Sequence, residues 1–501
     1  MASLRRNVIA NYAGQGWSAL MGIVFVPFYV RALGAETYGL IGVFTVMQAW
    51  IALLDLGLTP TLNREMARYR SGVLTLRGIR DLLRSLEIIY CFLAVLLIAA
   101  VWLSASYLAH SWLNVNGLST ELVVFSIKVM GFVLATRWLE QVYRGALQGL
   151  QDQVWLNIAQ ALLATLRWGG AAIIVSYVAH DVIAFFLWQG AVSLVTTAVF
   201  VHRTYVLLPR STGLARFSMG ALKEIYGFAS GMFIGSILSL LLTNVDKVIV
   251  SKLLSLKEFG YYMLVTTVTS GLLQLIVPMN NAIYPKLTEH VARHAYGELE
   301  ATYQRSCQWM AAIIVPPALM LTFFSGPVML AWTGDGTLAK SVSVVLSLIA
   351  AGTLLNGLMN LPYMLQLAHG WTRLSIKVNA VAVIVVVPAL LIVVPTYGIT
   401  GAAMVWIALN GAYVVVVAHL MHKRILISAK ANWYRHAVLM PMIVGGIGGT
   451  LLRALLPAPT SRLQAGMTVL IAGTLLAAIM MVTLPRVREE IISRLPFGSL
   501  A

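Results

Sequence analysis

Fourteen stretches of roughly twenty mostly apolar residues follow one another along this chain, joined by short polar connections. A helix needs about 20 such residues to cross ~30 Å of hydrocarbon while satisfying its own backbone hydrogen bonds, which leaves a bundle of membrane-spanning helices as the expected fold. The stretches lie near 7–30, 38–59, 84–108, 121–147, 154–178, 182–201, 225–250, 259–283, 306–332, 341–367, 374–395, 398–420, 435–456 and 463–484. Only 11% of residues are charged, against about 25% in a soluble domain. The predicted class is an all-α polytopic membrane protein with both ends on one side.

The placement of the cations tests that count. Cytoplasmic loops carry the Lys and Arg excess, and of 35 such residues only Arg31, Lys252, Lys257, Lys340, Arg453 and Arg462 fall in the loops of the opposite side. Lys128, Arg137, Arg167 and Lys247 lie inside predicted spans. A net charge of +17 would suggest nucleic acid in a soluble protein. Here topology and anionic inner-leaflet lipid account for it, so nucleic acid is not an expected partner. Cys91 and Cys307 sit inside apolar stretches, which argues against a disulfide framework. The apolar run behind Arg5 and Arg6 is too long for a signal peptide and reads as an uncleaved first span.

Two corners of the chain match. "RALGAETYGL" (Arg31–Leu40) and "KLLSLKEFGY" (Lys252–Tyr261) each follow an apolar run and end in an aromatic-glycine pair that opens the next one. Gly39 and Gly260 are 221 residues apart, and the same offset joins Gly14 to Gly235, Ser18 to Ser239, Leu33 to Leu254 and Thr45 to Thr266. Further on, Gln148 meets Gln366 at 218. Spans 1–6 therefore repeat as 7–12, and an even-numbered repeat predicts two six-helix lobes related by a pseudo-two-fold axis along the membrane normal. The expected parts are a first lobe over 1–201, a cytoplasmic amphipathic linker over 202–224, a second lobe over 225–422, and two further helices with a tail over 423–501. The linker holds "GLARFSMGALKEIYG" (Gly213–Gly227), spaced as for a helix lying in the membrane interface.

Four segments carry a resemblance: "VPFYVRALGAETYGLIGVF" (Val26–Phe44), "LLDLGLTPTLNREMARYR" (Leu53–Arg70), "TNVDKVIVSKLLSLKEFGYY" (Thr243–Tyr262) and "YGITGAAMVW" (Tyr397–Trp406). The chain resembles the Wzx-type polysaccharide or O-unit flippases of the multidrug/oligosaccharidyl-lipid/polysaccharide exporter superfamily. The resemblance implies twelve core helices plus two, in a bacterial cytoplasmic membrane. It implies a transporter, not an enzyme, that moves an undecaprenyl-pyrophosphate-linked oligosaccharide from inner to outer leaflet by alternating access. Implied partners are that lipid-linked oligosaccharide, membrane lipids, and the polysaccharide polymerase and chain-length machinery. The expected working form is a monomer without a cofactor, with a proton or sodium gradient as the energy source. Lipid II flippases share the fourteen-helix arrangement and stay open as an alternative. A cation-coupled drug antiporter would favour an acid in span 1, which has none. A membrane enzyme acting on the same carrier lipid would place its carboxylates or histidines in a large exterior loop, and the chain has no such loop.

A charge near mid-bilayer costs about 2.5–3.5 kcal/mol on insertion scales and usually faces a cavity or a partner. Arg137 and Arg167 lie near the middle of their spans. On span 4, Arg137, Glu140, Gln141, Arg144, Gln148 and Gln151 recur at three- and four-residue spacing, which predicts one polar face running from midplane to cytoplasm. Guanidinium offers paired donors that match phosphate oxygens, which makes Arg137, Arg167, Arg144, Lys247 and, at the cytoplasmic mouth, Arg64 candidates for an anionic headgroup. Gln148, Asn356 and Asn360, with Gln15, Gln48, Asn244 and Gln274, are candidates for the sugars. The competing assignment is internal pairing, of Arg137 and Arg144 with Glu140 and of Arg167 with Asp55 or Glu140. Asp246 and Lys247 are adjacent, point to different helix faces and need separate partners. Asp55, Glu140 and Asp246 are the ion-coupling candidates. His290 and His294 are four apart without further ligands, so no metal site is expected.

Overall fold

The computed structural model describes residues 2–55, 57–209, 215–220, 237 and 240–494. Among these, the regular elements are helices, and the sole extended pairing is an isolated bridge between Asn114 and Ser255. Among the described residues, ten helices are long and apolar enough to cross a membrane, with an eleventh candidate formed by a bent pair. The chain divides into two compact units, Met1–Gly260 and Tyr261–Ala501.

The first unit holds α1 (Ala2–Val24), α2 (Val26–Ile51), α3 (Leu58–Arg70), α4 (Leu76–Tyr107), α5 (Thr120–Gly149), α6 (Gln153–Ile173), α7 (Val182–Leu207) and a helix over 240–253, α8. Polar caps set several starts: Ser119 accepts from the Leu122 amide at 3.3 Å to open α5, and Asp181 from the Ile183 amide at 3.1 Å to open α7. The α1–α2 pair bends by 43°. Within α2 the helix is broken at Gly34 (φ 81°), a left-handed conformation that a side chain resists. The second predicted span was expected to reach residue 59. Instead α2 stops at Ile51, a short turn covers Ala52–Asp55, and Gly57 (φ 77°) redirects the chain into α3. Asp55 fixes that turn by accepting from the Thr59 amide at 3.2 and 3.3 Å. Helix α5 is the axis of this unit and packs on α3, α4 and α7.

α9 (Leu256–Ala292) contains the boundary residue, and the second unit continues with α10 (Tyr296–Phe323), α11 (Ser325–Thr333), α12 (Gly336–Leu358), α13 (Asn360–Ala368), α14 (Thr372–Ala412), α15 (Ala418–Arg424), α16 (Ala429–Trp433), α17 (Met440–Leu455), α18 (Arg462–Thr483) and α19 (Pro485–Arg494). Predicted spans 9 and 10 are each broken in two, at Phe324 and Met359. α14 carries the other internal break, at Gly398 (φ 58°, ψ −143°). Here α12 takes the axial role, against α10, α11 and α14. The repeat partners Gly235 and Ser239, the first part of predicted span 7, and linker residues Arg210 and Lys223 lie outside the described residues. Within the stretch read as an interface helix, residues 215–218 are non-helical, and their amides at Arg216 and Ser218 donate to Asp81 (2.9 Å) and Ser85 (2.8 Å) of α4.

The two matching corners meet. A Cβ on Gly39 would collide with the Leu256 carbonyl oxygen, and one on Gly260 with the Ala35 carbonyl oxygen. Ala35 and Leu256 are themselves 221 residues apart, so the contact is reciprocal: each glycine lies against the counterpart of the other's neighbour. Around it, the Leu256 amide donates to Asn114 O at 2.9 Å, Asn114 Nδ2 donates to Lys252 O at 3.0 Å, and Trp112 Nε1 donates to Ser251 Oγ at 3.2 Å. Lys252 donates to the Ser111 carbonyl and stands over the Trp112 ring at 5.5 Å.

Candidate functional site

The interior of the first unit is built around one buried guanidinium. Arg137, at 9% exposure on α5, donates from Nη1 to Gln48 Oε1 at 2.5 Å and from Nη2 to Gln189 Oε1 at 2.6 Å. Its Cζ lies 4.9 Å from the centre of the Phe44 ring, a cation-π placement. Both partners are neutral amides, and no carboxylate among the described residues lies within ion-pair distance. The charge is thus solvated by dipoles and not cancelled. The side chain borders a cavity of about 260 Å³ whose other polar walls are Gln48, Asp55, Thr59 and Gln141. Asp55 shares the cavity but is already engaged, by the Thr59 hydroxyl at 2.5 Å and by the Tyr90 hydroxyl.

Arg167 on α6 is arranged otherwise. Its Nη2 lies 3.3 Å from Glu140 Oε2 and 3.3 Å from Thr196 Oγ1, with both charged side chains mostly buried. The polar face predicted along α5 therefore divides. Arg137 and Gln141 line the cavity, while Glu140 turns to α6 and serves Arg167 instead of Arg137. Gln151 leaves the helix altogether, beyond Gly149, with φ 56°. Arg144 is half-buried on α5, and Gln148 accepts from Asn63 at 3.4 Å. Arg64 is about half exposed beside Glu65, at 3.7 Å. Asp246 and Lys247, expected to need separate partners, meet each other at 3.6 Å; the Lys247 ammonium also donates to the carbonyl of Thr243 at 2.5 Å. Neighbouring residues diverge on a helix, but a long lysine chain reaches back along it.

Three groups escaped the sequence reading. Gln189 was hidden as one amide in an apolar run, where a lone mid-span amide was itself the available signal. Tyr90 holds Asp55, and its distance from Asp55 in sequence left no pattern. Glu87, at 6% exposure, accepts from Tyr143 (2.9 Å), Tyr205 (2.7 Å) and Arg84 (3.1 Å); an acid just inside the start of span 3 was its trace.

The second unit repeats part of this geometry without charge. Asn356 of α12 donates to Asn410 of α14 at 2.9 Å, as Arg137 of α5 donates to Gln189 of α7. The residue offsets, 219 and 221, match the drift of the repeat. Asn360 Nδ2 donates to Asn356 O at 3.1 Å, and Asn280 Nδ2 to Asn360 Oδ1 at 3.0 Å, which gives an amide chain linking α9, α12, α13 and α14.

Residues 4–291 match the family described as "Polysaccharide biosynthesis protein". The chain belongs to that family. A curated relative from Shigella flexneri, named "Putative O-antigen transporter", is 22% identical over 81% of this chain and 94% of its own length. Among solved structures, the fold is similar to "Lipid II flippase MurJ, inward closed conformation" (TM-score 0.68, 10% identity, 97% of this chain and 99% of the other). It is also similar to an inward-facing multidrug resistance MATE family transporter of the MOP superfamily (TM-score 0.67, 15% identity, 82% and 96%). These matches bear out the resemblance drawn from the four segments: the chain is a multi-pass membrane protein with the fold of that superfamily.

Proposed function

We propose that this protein flips an undecaprenyl-pyrophosphate-linked oligosaccharide, an O-antigen or polysaccharide repeat unit, from the inner to the outer leaflet of the bacterial cytoplasmic membrane. The observation that carries the reading is Arg137: a buried cation bordering a cavity and held by neutral oxygens, hence with its charge available to an anion. The cavity is smaller than the ~300–1,000 Å³ of typical ligand pockets, which suits one phosphate-sized group with the glycan outside it. The name of the Shigella relative and the flippase fold support the same substrate class. Arg167, Arg144 and Arg64 on this reading extend the cationic path, Lys247 adds to it, and Gln148, Asn356 and Asn360 face the sugars.

The finer architecture belongs to the same proposal. The helix that includes Gly398 runs over 53 residues, Thr372–Arg424. At ~1.5 Å per residue it would be about 80 Å long, far more than one ~30 Å crossing, so it counts as two spans turned at the glycine. Gly34 divides the first two spans in the same way, and with span 7 restored the total is fourteen, both termini being cytoplasmic. The reciprocal Gly39/Gly260 contact supports a pseudo-two-fold axis between two six-helix lobes, with the corners closing the outer end. Rocking about that axis exposes the site alternately, and binding shifts the populations of the two states. Asp55 is the favoured coupling carboxylate because it shares the Arg137 cavity; Glu140 and Asp246 are each engaged with a cation. The protein works as a monomer without a cofactor, alongside the polymerase and chain-length machinery.

The test is a reconstituted leaflet-translocation assay with chemically defined lipid-linked oligosaccharides, with and without a pH gradient. Arg137→Asn is expected to slow translocation by roughly tenfold to a hundredfold at normal expression. Unchanged translocation would remove Arg137 from the substrate path.

A further inference from the structure

The second unit holds a cavity that the flipping reading does not use. It lies between the C-terminal half of α9 and the N-terminal half of α10, with a volume of about 650 Å³. Its lining changes character along the helices. Met279 and Ile283 of α9 face Ile313 of α10 at one end, and Lys286 and His290 face Arg305 at the other. Because the two helices are antiparallel neighbours in sequence, joined through residues 293–295, these cations gather at their connected ends. A slot that is apolar toward the middle of the spans and cationic at the basic end matches an amphiphile lying along the helices with an anionic head. Basic pockets between membrane helices are used in this way for anionic lipid headgroups.

The charges decide which head fits. Arg305 is neutralised by Glu490 of α19, with contacts of 2.6 and 3.1 Å, and Trp309 donates to the same carboxylate at 2.9 Å. His290 lies 3.3 Å from Glu298 and 3.2 Å from the Thr302 hydroxyl. Lys286 is exposed and has no ion pair among the described residues. One uncompensated cation suits a single negative charge, a phosphodiester, and is too little for a pyrophosphate.

We propose that this slot holds one monoanionic glycerophospholipid, with its phosphodiester at Lys286 and an acyl chain against Ile283 and Ile313. The site is separate from the proposed translocation path and does not rest on it. The test uses the full-length protein equilibrated with equal amounts of phosphatidylglycerol and phosphatidylethanolamine, with bound lipid read by native mass spectrometry. One phosphatidylglycerol is expected to be retained in preference. Lys286→Gln, an exposed position, is expected to lower that preference about fivefold, as for one lysine at an anionic lipid surface. Ile313→Trp, which fills the apolar end, is expected to lower retention of both lipids, with gel filtration confirming a folded sample. Unchanged phosphatidylglycerol retention in both variants overturns the proposal. So does one-for-one displacement by undecaprenyl pyrophosphate, which would assign the slot to the carrier lipid.

Discussion

Arg137 to Gln189 in the first unit and Asn356 to Asn410 in the second are one hydrogen bond made with different charges. In each unit the axial helix donates to a side-chain carbonyl on the helix it packs against, at 2.6 and 2.9 Å. An asparagine completes that contact at little cost in lipid. An arginine does so only by bringing a charge to mid-span, at about 2.5–3.5 kcal/mol. If helix pairing were the whole purpose, an amide would serve in both places. What the first unit has in addition is a cavity beside Arg137 and a Gln48 oxygen turned toward the charge, and on the proposed reading these serve an anion.

The largest expected effect tests the other buried guanidinium. Arg167→Ala leaves Glu140 buried and without its cation, and breaking one partner of a buried pair costs about 3–5 kcal/mol. Thermal unfolding in detergent should show the loss, and Arg167→Met with Glu140→Gln should recover most of it. If the double variant stays as unstable as the single one, pairing with Glu140 is not what Arg167 contributes. Next comes Arg137→Asn, which turns the first unit's bond into a copy of the second unit's. Loss of charge-assisted contacts worth about 1.5–3 kcal/mol should slow translocation by roughly tenfold to a hundredfold while leaving unfolding near that of the parent. Equal translocation would mean that the comparison with Asn356 holds no functional information.

The spans were legible in the sequence because a membrane crossing is an average over some twenty residues, and averages tolerate local irregularity. The breaks were not legible, because the non-helical backbone at Gly34 and Gly398 rests on angles that any apolar window conceals. Arg137 and Arg167 stood out since an unpartnered charge in a span demands an explanation. For Arg167 the sequence left Asp55 and Glu140 open as partners, and the amides that hold Arg137 did not follow from spacing. On a helix with 3.6 residues per turn, Gln141 is rotated about 40° to one side of Arg137 and Glu140 about 60° to the other. That difference sends one into the cavity and the other to α6. The amides proposed to face the sugars were visible one by one, but the chain from Asn280 to Asn410 needed three-dimensional proximity.

A third variant probes the corners. Gly39→Val drives a side chain into the Leu256 carbonyl, and overpacking of this kind costs ~1–3 kcal/mol. The reciprocal contact then favours separation, and a cysteine at Ser255 in a background lacking Cys91 and Cys307 should label several-fold faster with a membrane-impermeant maleimide. Gly260→Val should act the same way, since the repeat makes the two positions equivalent. A response at one corner alone would break the reciprocity that supports the axis.

The smallest effect is expected from Asn356→Ala, and its size gives the comparison its scale. Interhelical side-chain hydrogen bonds in membrane proteins average ~0.6 kcal/mol, because helices separated in lipid still find other polar partners. The Asn410 amide keeps its own donation to Trp406 O at 2.9 Å, so only its carbonyl oxygen loses a partner. Unfolding should therefore shift by no more than a degree or two for a domain of this size, and translocation should fall less than in Arg137→Asn. Arg137→Asn keeps an amide in place of the charge and Asn356→Ala removes the amide contact from the equivalent helix pair, so stability alone predicts no larger consequence for Arg137→Asn than for Asn356→Ala. A translocation defect confined to Arg137→Asn isolates the charge as the functional difference. A loss of equal depth in Asn356→Ala would shift the weight of recognition to the amides, and the guanidinium would be one polar contact among several.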